Sequence, residues 1–105
     1  MSQAQVALEQ TGILHLSGVL DYSTGNALCE QGKKLIASCS HSNIVIDCAQ
    51  VSKSSSVGVA LVLAFIRATL ASSKNYQVRN LPNDMQQIAQ VCGLESVLIS
   101  QHQAE

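Results

Sequence analysis

Residues 56–72, SVGVALVLAFIRATLAS, constrain the fold more than any other stretch of the chain. The apolar run from Val57 to Ile66 is ten residues long, counting Gly58, and Arg67 ends it. A bilayer span needs roughly 20 such residues, so the run predicts a helix of a globular domain and no membrane span. At about 100° per residue, Val59, Leu63, Ile66 and Leu70 fall on one stripe, and Val57, Leu61, Ala64 and Ala68 fall on the opposite one. Arg67 and Thr69, on different flanks, are the clearly polar residues between the stripes. A helix apolar on both sides is either enclosed by its own domain or covers a partner. The material available to enclose it is limited. With 105 residues, 47% hydrophobic and 12% charged, the chain can form one domain with one core. One stripe can cover a sheet; the other is closed over by neighbouring helices or left for a second protein.

The rest of the chain supplies that sheet. Gln3 to Glu9 alternates weakly, with Val6 and Leu8 as its apolar positions, and Thr11-Gly12 reads as a turn. Gly12 to Val19 reads as a second strand, so the two form a candidate hairpin. A loop over Asp21 to Thr24 leads into a helix capped by Ser23 or Thr24 and running to about Ser38, with Leu28, Leu35, Ile36 and Cys39 as its apolar stripe. Asn43 to Cys48 is a β-branched run suited to a central strand, and residues 49–54 read as a loop. Tyr76 to Asn80 reads as a short strand. Pro82 opens a third helix with Met85, Ile88, Ala89 and Cys92 on one face, and Gly93 is placed to end it. Val97 to Ile99 reads as a last strand or a strand-like tail. The order ββαβαβα predicts an α/β domain: a mixed sheet with helices on one or both faces.

Composition narrows the function classes. A net charge of −1 gives no electrostatic footprint for nucleic acid, and Tyr22, Phe65 and Tyr76 form no base-stacking cluster. The first ten residues carry no basic segment followed by an apolar one, so no signal peptide is expected. Cys29, Cys39, Cys48 and Cys92 form no C-x-x-C pair and read as reduced, buried, small apolar groups. His15, His41 and His102 are scattered, and His15 reads as a solvated or satisfied strand residue. No metal or cofactor is expected.

The start of the apolar helix is chemically pointed. Its free backbone N–H groups and partial positive charge accept a capping serine, a phosphate or another anion, and Ser54, Ser55 and Ser56 all lie there. The plain reading is one capping serine among solvated neighbours. A serine nucleophile lacks a G-x-S-x-G elbow, and Lys53 before the serines does not make a phosphate-binding loop. An enzyme is not expected.

Three stretches resemble the STAS-domain family: LSGVLD (16–21), NIVIDCAQVSKSSSVGVALVL (43–63) and NLPNDMQQIAQVCGLESVL (80–98). The resemblance spans nearly the whole chain and implies a single SpoIIAA-like domain over residues 1–105. Family members typically carry Asp-Ser/Thr-small-Gly at the turn before the helix; the matching residues here are Ser55, Ser56, Val57 and Gly58. The family's phosphorylatable hydroxyl therefore maps onto Ser56. The family's acid maps onto Ser55, which keeps the capping ability and loses the charge, and Val57 is bulkier than the usual small residue.

Within the family the chain looks most like the MlaB-type subunit of a phospholipid ABC transporter. That implies a non-catalytic cytoplasmic protein that binds the nucleotide-binding ATPase, and through it a permease, at the inner membrane. The docking surface would comprise Ser54, Ser55, Ser56, Val57, Gly58, Leu61 and Phe65. In isolation the same face could pair two copies of the chain. The competing expectation is an anti-sigma factor antagonist switched by phosphorylation of Ser56. A domain that binds lipid or an anion by itself is a further alternative.

Overall fold

The computed structural model describes residues 4–20, 23–54, 56–94 and 97, and of residues 53 and 54 the backbone. Four strands and three helices follow in the order β1 (Gln5–Leu8), β2 (Ile13–Leu20), α1 (Gly25–Ser38), β3 (Asn43–Ser54), α2 (Ser56–Ala71), β4 (Asn75–Arg79) and α3 (Asn83–Val91). The sheet order is β1-β2-β3-β4, with β1 antiparallel to β2 and the other neighbours parallel. Each parallel connection moves one strand further along the sheet in the same direction. Right-handed crossovers of that kind put their helices on one face.

Burial agrees with that one-sided arrangement. Along β2, Leu14, Leu16 and Leu20 are buried, while Ile13, His15, Ser17 and Val19 are half-exposed on the opposite face. Ile44, Ile46 and Cys48 of β3 and Tyr76 and Val78 of β4 extend the same apolar layer. Helix α2 lies over it and contributes Val59, Leu61, Val62, Phe65 and Ile66 to the core. A fully buried side chain of this size contributes about 1.5–3 kcal/mol, so α2 is held chiefly by packing.

Of the two outcomes open for the second stripe of α2, closure by neighbouring helices is the one found, and the expected surface placement of Leu61 and Phe65 is corrected. Helix α1 packs along one flank and α3 along the other. Leu61 is 4% exposed and Phe65 fully buried, so neither is a surface residue. The close approach of α1 depends on Gly32: a Cβ there would stand 2.2 Å from Phe65 Cε1 and 2.5 Å from Cζ. What α2 presents outward is narrower: exposed Ser56, Ala60, Arg67, Leu70 and Ala71, edged by half-buried Leu63 and Ala64.

Strand β3 is longer than the sequence suggests. Residues 49–54, expected as a loop, continue it along β2 alone. The pairing passes from His15↔Asp47 to Ser17↔Gln50, and from Gly18↔Val51 to Val19↔Lys53, so β3 carries an extra residue at each shift. Such bulges break period-two alternation and bend the strand, which is why the segment looked irregular. Gly18, at the second shift, has φ 87.

Thr24 stands at the N-cap of α1 as expected but makes no side-chain cap hydrogen bond, and Pro82 stands at the N-cap of α3, one residue before the helix. Gly93, at φ 72, closes α3: its N–H donates to Gln90 O and that of Leu94 to Ala89 O at 2.7 Å, a Schellman ending. Ser73 plays the same part after α2 at φ 59. The expected last strand is not found at Val97, whose N–H donates to Leu94 O at helical-turn spacing. Residues 98 and 99 lie outside the described residues. Among the described residues no helix is long and apolar enough to cross a membrane.

The four cysteines are free, but only Cys48 is buried; Cys29 and Cys39 are half-buried and Cys92 is exposed. Their expected burial is corrected accordingly. Burial, and secondarily the neighbouring Asp47 charge, pushes the Cys48 thiol up to about 12. Cys92 is expected to react first with a maleimide, and Cys48 only on unfolding. Mass spectrometry of labelled peptides over time checks the order; early labelling of Cys48 would contradict the packing of β3.

Candidate docking site

Helices α1, α2 and α3 each follow one of the three parallel strands, so all begin at the carboxyl end of the sheet. Ser56 opens α2 and is exposed, Val57 is half-buried, and Gly58 is buried beneath them. Residue 55 and the side chain of Ser54 lie outside the described residues.

Two helix starts meet here. Gly25 and Asn26 of α1, with Cys29 one turn on, face Val57, Ala60 and Leu61 of α2 across a shallow groove of about 290 Å³. A Cβ on Gly25 would come within 3.1 Å of Val57 Cγ1, so the groove is open at this end because α1 begins with glycine. Leu61, though buried, forms part of its floor. Of the seven residues expected at the site, Val57 and Leu61 line the groove, and Ser56 is exposed beside Val57 at the start of α2. Phe65 belongs to the core. The sequence reading missed Gly25, Asn26, Cys29 and Ala60. Small residues at the start of both helices were the available signal.

A second polar feature lies on the sheet face away from the helices. The register aligns Ala7, His15, Asp47 and Arg79 across the four strands. His15 Nε2 pairs with Glu9 Oε2, and its Nδ1 lies 3.8 Å from Asp47 Oδ2. His15 is thus the satisfied strand residue expected. Asp47 Oδ1 accepts two hydrogen bonds, from the Ala49 N–H at 3.0 Å and from Asn80 Nδ2 at 3.1 Å. Among the described residues no group of His, Cys, Asp and Glu is placed to hold a metal ion.

Burial by itself would raise the Asp47 pKa. The hydrogen bonds from Ala49 and Asn80, with the positive fields of His15 and Arg79, outweigh it and hold the carboxyl below its ordinary 3.8. A group depressed in the folded state stabilises the fold above its unfolded pKa, and that stabilisation is lost as pH falls through the folded value. Urea melts from pH 5 to pH 2 should therefore show wild type losing more stability than Asp47→Asn below about pH 4. Parallel losses in the two proteins would show that Asp47 is not the linked group.

The comparisons agree with this architecture. A family model described as "Mlab, STAS domain" matches residues 4–100, and the chain belongs to the STAS-domain family. The description of that model names the Mlab type within it. No curated protein matches in sequence. Solved structures with the same α/β fold include the anti-sigma factor antagonist SpoIIAA in its unphosphorylated form, at 20% identity and TM-score 0.63, covering 84% of this chain and 82% of that one. An anti-sigma factor antagonist from Mycobacterium paratuberculosis matches at 22% identity and TM-score 0.68, over 93% and 83% of the two chains. A Thermotoga maritima protein described as such an antagonist matches at 7% identity and TM-score 0.70, over 91% and 83%. At these identities the likeness is one of fold: a four-stranded mixed sheet with three helices, SpoIIAA-like.

Proposed function

We propose that the protein is a non-catalytic subunit that binds the nucleotide-binding ATPase of an ABC transporter for phospholipids and supports its assembly or activity. In this reading it works in the cytoplasm, held at the inner membrane by its partner, in a system that maintains outer-membrane lipid asymmetry. The observation that carries it is the groove between the starts of α1 and α2, with Val57, Ala60 and Leu61 on one side and Gly25 on the other. Short side chains let a partner's backbone come close, and an apolar floor next to the exposed Ser56 suits the centre and edge of a protein interface. The name carried by the matching family model supports this choice of partner. Ser54, Ser55, Ser56, Val57 and Gly58 are proposed to contact the partner.

The second reading, an anti-sigma factor antagonist, is favoured by one observation: Ser56 is exposed at the first position of α2, where a phosphate dianion would meet a helix N-terminus. Affinity purification of the tagged protein from its native cells in mild detergent separates the two. Recovery of an ABC ATPase with its permease supports the first reading. Recovery of a serine kinase, with phosphate on Ser56, overturns it.

A further inference from the structure

At Asp47 the sheet divides. Asp47↔Arg79 is the last pairing between β3 and β4. Beyond it β3 continues beside β2 alone, through Gln50 to Ser54, and leads into α2. Strand β4 turns away at Asn80, whose left-handed φ of 58 starts the link to α3 at Asn83. Both departures are tied to one atom. Asp47 Oδ1 accepts the Ala49 N–H, inside the first bulge of β3, and also Asn80 Nδ2, at the turn out of β4. Asp47 is 9% exposed, and both bonds are part-buried.

We infer that Asp47 is the positioning residue of the docking end: its carboxylate fixes the angle at which β3 leaves β4, and so where the start of α2 stands relative to the start of α3. A bulge without that acceptor has no side chain to hold its amide, and the strand can regain regular pairing or bend elsewhere. Either change would move the strand end that feeds Ser56 and Val57. The link from β4 to α3 is braced separately by Gln86 Nε2 donating to Leu81 O at 2.8 Å, so Asn80 joins an already ordered turn to the bulge. His15 and Arg79 flank Asp47 from β2 and β4, with Glu9 beyond His15. The inference assigns the positioning to the acceptor oxygen, not to these charges.

The part of the inference that concerns binding rests on the proposed docking function; the geometric part does not. The experiment compares Asp47→Ala with Asp47→Asn, which removes the charge and keeps an acceptor oxygen. Amide chemical shifts and hydrogen exchange are read on the isolated protein, and affinity is read with the purified ATPase. In Asp47→Ala, exchange at Ala49 should accelerate about tenfold or more, the loss expected for a hydrogen bond to a charged group. Shifts should move at Ser56–Gly58 and at residues 81–84 together, and affinity should fall about tenfold. Asp47→Asn should restore all three. Equal defects in both variants would overturn the inference in favour of the charge, and unchanged shifts at Ser56–Gly58 in Asp47→Ala would overturn it outright. If Asp47→Ala does not fold, Asn80→Gly keeps the left-handed backbone and removes one donor. It should perturb Ser56–Gly58 as well as residues 81–84, and an effect confined to the latter contradicts the coupling. If wild type does not bind the ATPase while the shifts respond as described, the docking function fails and the positioning role stands.

Discussion

Ala60→Glu should weaken partner binding about a hundredfold or more while leaving the protein as stable as wild type. Ala60 is exposed on α2 and lines the groove, four residues from the helix start. In the free protein the new carboxylate is solvated, and near a helix N-terminus it meets a favourable dipole. In the complex it would be buried without a partner, at a cost of about 3 kcal/mol or more, roughly a hundredfold in Kd. Thermal melts and a binding titration with the ATPase give the two readouts. Unchanged affinity would remove the groove as the docking surface. A substitution at Leu61 cannot answer this question, because Leu61 is a core residue and its replacement by aspartate would unfold the domain.

Gly32→Ala should destabilise the fold by about 2 kcal/mol, although alanine is the better helix former by about 1 kcal/mol. The added methyl would overlap the buried Phe65 ring, and the surrounding core leaves that ring little room to retreat. For a domain of this size the loss corresponds to a fall of about 10 °C in Tm. Phe65→Leu removes the ring atoms that collide, so the double variant should be more stable than the two single losses predict. Calorimetry of the four proteins measures that coupling. A stabilising Gly32→Ala would mean that α1 and α2 can separate freely.

The strongly patterned parts of the fold were legible in the sequence. Helix α2 and the hydrophobic half of β3 announce themselves by length and by β-branched runs, and Gly93 marks the end of α3. The second half of β3 was hidden because two bulges scramble the alternation by which a strand is recognised. The closure of α1 over the second stripe of α2 was hidden for a different reason. A helical wheel scores glycine as neutral, so Gly32, the residue that lets α1 close over Phe65, left no apolar signal. At the start of α2, Ser56 and Val57 could be found from the serine turn. Their neighbours could not: Gly25, Asn26 and Cys29 reach them only through the packing of α1 on α2. Asp47 and Asn80 are 33 residues apart, and short-range periodicity carries no information about that pairing.

The seating of Phe65 over Gly32 has a mechanical side. A ring lodged in a notch blocks sliding of one helix along the other but leaves rotation about the notch open. Helix α2 is therefore pinned lengthwise at Phe65, nine residues beyond Ser56, or about 13 Å at 1.5 Å per residue. The axial position of Ser56, Val57 and Ala60 relative to the start of α1 is thus set by one ring outside the groove itself.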